Sequence, residues 1–196
     1  MAIILRPGKT PDGAEVALVL RHVIGRIRAR WPAVDIVVCG DGHYARPEAM
    51  GWCGRKRIGY IFSLSAMRCC CCAGSAILAR TPPLGRIGDE GLKVRRYGEF
   101  RYAATSLSVE RPVIGRVEAG PQGADSRFIV TNLPGLPMAL CEKVYCARGQ
   151  AENLIKAHKL HLATDRTSCT KATANQFRLL IHTAADLPLR ISSNWN

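Results

Sequence analysis

Five residues have types and spacings that could do chemistry on a phosphate ester. The first is Asp41, in Gly40-Asp41-Gly42, directly after the run Asp35-Ile36-Val37-Val38-Cys39. That run reads as a central, buried strand. In open α/β sheets, functional groups gather beyond the carboxyl ends of the strands. The flanking glycines let the backbone turn sharply and leave the carboxylate accessible. Taken alone, the simpler account is an ordinary turn aspartate. The other four are Tyr145, Arg148, Glu152 and Lys159, at spacings of 3, 4 and 7. On one continuous helix, at about 100° per residue, they fall on a single face. An acid between cations can hold a metal ion beside bound phosphates. The competing account is an exposed Arg148–Glu152 ion pair four residues apart, which stabilises a helix only slightly.

The elements that would position these residues follow from hydrophobic pattern. Residues 5–13 contain two prolines and two glycines and read as a loop. A helix is expected over Ala14–Arg30, with an apolar stripe of Val16, Leu20, Val23, Ile27 and Trp31 ended by Pro32. After the strand that leads into Asp41, Pro47–Arg57 predicts a helix with proline in its first turn. Gly59–Leu64 predicts a second strand. Helix, strand, helix, strand at this spacing means an α/β domain. Residues 65–92 lose any period: four consecutive cysteines, Cys69 to Cys72, are followed by a proline pair and several glycines. Val94–Tyr102, Pro112–Glu118 and Arg127–Thr131 then predict strands, a β subregion inserted into the α/β frame. Tyr145 to about Ala163 is helical in pattern, with Ala147, Ala151, Leu154 and His158 as a stripe able to pack on a sheet. A last helix is expected over Thr173–Ala185, ending before Pro188.

Composition bounds the partners. The chain has 196 residues, 47% hydrophobic and 22% charged, which fits a globular core and not disorder. Against 28 Lys+Arg stand 15 Asp+Glu, a net charge of +13 and a pI near 9.7. A compact chain this basic meets a polyanion. With aromatics at 6%, a backbone-tracking surface fits better than a stacking platform for single strands. No uncharged apolar run approaches the roughly 18 residues of a membrane span, and Met1–Lys9 is too short to read as a signal peptide. Nine cysteines, four of them adjacent, make a poor disulfide framework and point to a reducing compartment. Cys39, Cys53 and Cys169 read as small core or near-core residues. Cys69 and Cys72 with Cys141 and Cys146 would be an untidy zinc set, the second pair having four residues between its members. His43 beside Asp41 reads as an ordinary hydrogen-bonding loop residue.

The stretches LRPGKT (5–10), CGDGHYARPE (39–48), RFIVTNL (127–133), YCARGQAENLIKAHK (145–159) and DRTSCTKATANQFRLLIHTAA (165–185) resemble group 1 DDE transposases of bacterial insertion sequences. Tyr145, Arg148, Glu152 and Lys159 match that group's Tyr-Arg-Glu-Lys signature. The resemblance implies an RNase H-like α/β core with a β-rich insertion before the final catalytic helix. It implies Asp41 and Glu152 as catalytic carboxylates binding Mg²⁺ (or Mn²⁺) in a two-metal site, and Tyr145, Arg148 and Lys159 as DNA phosphate-binding residues. It also implies double-stranded DNA, element ends and target, as partner, with a homodimer possible, no membrane, and a cytoplasmic, nucleoid-associated place in a bacterium. The implied reaction is DNA strand cleavage and strand transfer in transposition.

Two departures qualify that expectation. The family's first Asp lies upstream of the stretch matching LRPGKT, so the chain reads as a carboxyl-terminal fragment whose core is incomplete at its N-terminus. Asp12 and Asp35 do not replace it, one lying in a loop and the other before a strand. Residues 65–92 match nothing in the family and read as the product of compensating frameshifts. The expected organisation is 1–64 partial core, 65–92 irregular, 93–140 β-rich insertion and 141–196 C-terminal helices. With two of three carboxylates, the fragment is expected to be inactive alone. The alternative is a non-catalytic, DNA-binding transposase remnant, and a poorly folded product is the third reading.

Overall fold

The computed structural model describes residues 12–64, 94–103, 109–120, 123–162 and 169–193. The expectations for the loop at 5–13 and for segment 65–92 thus lie wholly or mostly outside the described residues. The chain divides into two compact units, with the boundary between Arg148 and Gly149.

The larger unit is a five-stranded sheet covered by helices. Its strands are β1 (Val37–Gly40), β2 (Gly59–Leu64), β3 (Val94–Tyr102), β4 (Arg111–Gly120) and β5 (Gly123–Thr131), in spatial order β1-β2-β5-β4-β3. β1 and β2 are parallel, with Val37 opposite Gly59 and Gly40 opposite Phe62. The remaining pairings are antiparallel. β4 and β5 form a tight hairpin closing at Gly120–Gly123, where Gly123 takes a φ of +104°, a conformation that favours glycine. The three strands expected as an insertion hydrogen-bond into the same sheet as β1 and β2, through β5. The fold is thus mixed α/β. Among the described residues β1 is an edge strand, where a central one is expected, and Val37 is half exposed. Cys39 is exposed with it, and Cys169 is exposed too, so neither is a core residue. β-branched content specifies a strand but not its number of neighbours.

Alternation along the strands gives the sheet two apolar faces. On one, Tyr60, Phe62, Val113, Phe128, Val130 and Tyr102 are buried against two helices. These are α1 (Gly13–Arg30) and α2 (Pro47–Arg55). Asp12 caps α1, its side chain accepting the Glu15 N–H at 2.7 Å. The buried line of α1 is Val16, Ala17 and Ile24, with Leu20 partly buried, and Trp31 at its end is 62% exposed. The expected stripe therefore holds at Val16 and Leu20 and drifts off the contact before Trp31, as a straight 3.6-residue helix must over several turns. α2 contributes Met50, Trp52 and Cys53 to this core. Burial raises the Cys53 thiol to about 11.

On the other face, Ile61, Ile114 and Ile129 meet Leu140 and Cys141. These two belong to a helical turn, Pro137–Ala139, that continues as a π-helix, Leu140–Tyr145. The Cys146 N–H donates to the Cys141 carbonyl at 3.1 Å, the wider i+5 turn of that conformation.

The second unit contains α3 (Arg148–Leu162), whose first residue belongs to the larger unit, and α4 (Ala172–Ser193). α4 runs past Pro188, where the pattern predicts an end. A proline removes one helical hydrogen bond and bends the axis without forbidding continuation. Ala147, Ala151 and Leu154, expected to pack on a sheet, are exposed, Leu154 by 55%. Two alanines and one leucine are too little apolar surface to anchor that line.

Candidate phosphate-binding site at the end of the first strand

β1 ends in a turn built around Asp41. The Asp41 carbonyl accepts the Tyr44 N–H at 3.1 Å, and its Oδ1 accepts the His43 N–H at 3.0 Å. The side chain thus stabilises its own turn. Gly40 is required where the chain folds back, since a Cβ there would lie 2.9 Å from that of Tyr44 and 3.0 Å from the Phe62 ring. The Asp41 side chain remains 41% exposed.

Arg148 reaches this carboxylate. Its Nη2 lies 3.8 Å from Asp41 Oδ2, and its Nη1 donates to the Tyr145 hydroxyl at 3.1 Å. The guanidinium carbon is 5.9 Å from the centre of the Tyr145 ring, within cation–π range. Three of the five sequence candidates therefore meet at one end of β1: Asp41, Tyr145 and Arg148. Cys39 is close by. Partial desolvation of its sulphur raises the thiol, and the Arg148 charge pulls the other way.

Glu152 and Lys159 are exposed residues of α3, in the second unit. The expected single helix through all four signature residues is interrupted. Tyr145 closes the π-helix, Cys146 and Ala147 form a turn, and α3 begins at Arg148. The break falls between Tyr145 and Arg148, yet these two side chains still meet.

A polar network missed by the sequence reading holds the π-helix to the sheet. The Tyr97 hydroxyl donates to Glu142 Oε1 at 2.6 Å. Arg95 Nε donates to Glu118 Oε2 at 2.8 Å and its Nη1 to Glu142 at 3.4 Å. Arg116 Nη2 lies 3.7 Å from Glu118. The Tyr97 bond, with the neighbouring cations, lowers the Glu142 carboxyl below its ordinary range, desolvation opposing. Tyr97 is raised to about 12, by burial first and then by the bond to Glu142. Cross-strand register sets Arg95 opposite Glu118 and Tyr97 opposite Arg116, and the π-helix brings Glu142 to them.

The expected two-metal centre draws on Asp41 in the larger unit and Glu152 in the second. Among the described residues no three His, Cys, Asp or Glu side chains group so as to hold a metal ion. One Asp41 oxygen accepts a backbone N–H and the other faces a guanidinium. That arrangement suits an anion arriving at Arg148 better than a hard cation arriving at Asp41. No helix among the described residues is long and apolar enough to cross a membrane.

A family model described as "Transposase DDE domain group 1" matches residues 1–189. No curated protein sequence matches the chain.

Proposed function

The chain belongs to the group 1 DDE transposase domain family, and we propose that it acts as a DNA-binding member of that family that does not cut DNA by itself. The observation that carries this reading is the Tyr145–Arg148–Asp41 cluster. A guanidinium held by an aromatic hydroxyl and ring is a preorganised donor for a phosphate oxygen. The charge of +13 supplies the general attraction to duplex DNA. In this reading Tyr145, Arg148 and Lys159 contact phosphates. Asp41 orients Arg148 until a phosphate replaces it. Glu152 takes the signature's acidic position without completing a metal site.

The test pairs binding with cleavage. A labelled duplex is titrated with protein by fluorescence anisotropy across a salt series, and a supercoiled plasmid carrying element ends is incubated with Mg²⁺ or Mn²⁺. Salt-sensitive binding, weakened by Arg148→Gln and Lys159→Gln, with no nicking, is expected. Metal-dependent nicking that Glu152→Gln abolishes would replace this reading with that of an active transposase, with Asp41 and Glu152 as its catalytic carboxylates. Absence of salt-sensitive binding would refute both.

A further inference from the structure

The far end of the sheet in the larger unit carries its own concentration of positive charge, and the parallel pairing of β1 and β2 locates it. Asp41 follows the carboxyl end of β1. Because Val37 pairs with Gly59, the amino ends of both strands lie together at the opposite end. α2 connects the two strands and must run back along the sheet, so its last turn arrives at that end. Arg55, Lys56 and Arg57 are there, immediately before Ile58 and Gly59, and all three are exposed. α1 also ends nearby. Arg28 Nη1 donates to the carbonyl of Pro32 at 2.8 Å and also to that of Val34, tying the last turn of α1 to the segment entering β1. Arg26 and Arg30, four residues apart and exposed, flank that tie.

Among the described residues, acidic groups do not balance this end. The helix-layer carboxylates of Asp12, Glu15 and Glu48 sit at the opposite, starting ends of α1 and α2. At the basic end are Asp35 and Glu110, and Glu110 already faces Arg101 at 4.0 Å. Arg26, Arg30, Arg55, Lys56 and Arg57 have no hydrogen-bond or ion-pair partner for their side chains among the described residues.

Favourable interaction with the helix dipole explains one or two cations in a last turn. It does not explain Arg57. α2 ends in a two-bond cap: the Ile58 N–H donates to Cys53 at 2.9 Å and the Arg57 N–H to Gly54 at 3.2 Å. This cap places Arg57 at φ +53°, the left-handed position where glycine is favoured. An arginine there accepts backbone strain at a place where its charge has no partner among the described residues.

We propose that Arg55, Lys56 and Arg57, with Arg26 and Arg30 beside them, form a second phosphate-contact surface that tracks the backbone of duplex DNA at the end of the sheet opposite Asp41. This deepens the proposed function and rests on its DNA-binding reading. Contacts would be to phosphates alone, independent of sequence. The two surfaces are separated by at least the length of β1, about 13 Å for four residues. A duplex touching both must therefore run along the sheet axis or bend around it.

The experiment is a salt titration of duplex binding by the full chain, the wild type against Arg55→Gln/Lys56→Gln/Arg57→Gly. The glycine relieves the strained position, so this triple variant should keep or raise its melting temperature. Loss of three phosphate contacts should flatten the slope of log K against log salt by about 2 to 3. An equal charge reduction at Arg96→Gln/Arg127→Gln/Lys143→Gln should flatten it by less than one. An unchanged slope in the first variant, equal flattening in both, or flattening on duplex RNA but not DNA would each overturn the proposal. A wild-type chain that shows no salt-dependent binding would instead refute the DNA-binding reading itself.

Discussion

Asp41→Asn should strengthen DNA binding when no divalent metal is present. In the free protein the Asp41 carboxylate faces Arg148 at 3.8 Å, with side-chain exposures of 41% and 25%. Two unit charges at that distance attract by about 1 kcal/mol in water-like surroundings. Exposed pairs of this kind contribute roughly 0.2–1 kcal/mol when measured by mutant cycles. A phosphate that takes Arg148 must displace this partner and also approach a like charge. Asparagine keeps the shape and can still accept the His43 N–H, but the competition is gone. The gain should be the pair's own energy, so affinity should rise by about 1.4- to fivefold. Fluorescence anisotropy of a labelled duplex in EDTA at low salt measures it. The gain should shrink as salt screens both interactions. In an Arg148→Gln background the same substitution should have little effect, because the two residues act as one unit. Weaker binding by Asp41→Asn in EDTA, or an equal gain without Arg148, would show that Arg148 is not the phosphate donor and Asp41 not its competitor.

Further expectations concern the scaffold. Arg57→Gly should stabilise the fold by about 0.5–1 kcal/mol by removing the left-handed strain at φ +53°, seen as a higher urea midpoint with an unchanged m-value. Phe62→Ala, which deletes a fully buried ring stacked on Tyr60 at 5.3 Å, should cost about 3–5 kcal/mol; a loss below 1 kcal/mol would mean that this face of the sheet is not the core. Tyr97→Phe should leave the fold intact but alter how stability depends on pH at both extremes. Glu142 is lowered in the folded state, so its contribution is present above the ordinary carboxylate value of 4.5 and is lost as pH falls through the lower folded value. Tyr97 is raised from 10 to about 12, so its contribution is present below 10 and is lost as pH rises from there to about 12. Urea midpoints measured across pH should show both losses in the wild type and, in the variant, no alkaline loss from Tyr97 and a milder acid loss. Thr131→Val should destabilise by about 1–3 kcal/mol, since the buried hydroxyl donates to the Tyr60 carbonyl at 2.7 Å and accepts the Leu133 N–H at 3.0 Å.

What could be read from the sequence was local, and what could not depended on partners distant in the chain. Gly40-Asp41-Gly42 announces a turn after a strand because the glycines and the aspartate act within a few residues, and the structure has that turn. The start of α2 and the bounds of β2 and β3 follow the same logic, whereas α2 ends at Arg55, two residues before the expected Arg57, which takes the left-handed cap position. The position of β1 in the sheet does not. Val37 and Val38 require an extended chain, but only the pairing of β2 with β5 decides that β1 has one neighbour among the described strands. The π-turn was equally hidden, because it lies over Leu140–Tyr145, ahead of the stretch where the pattern predicts a helix, and the wider turn shows only as the bond from Cys146 to Cys141. That concealed turn governs the site. Tyr97 and Arg95 hold Glu142, Glu142 and the buried Cys141 seat the π-helix on the sheet, and the helix ends at Tyr145, which holds Arg148 against Asp41. The position of Arg148, the proposed phosphate donor, is therefore set by β3, far from the signature in sequence. A substitution at Tyr97 should displace Arg148 without touching any of the five residues that the sequence alone marks as chemical.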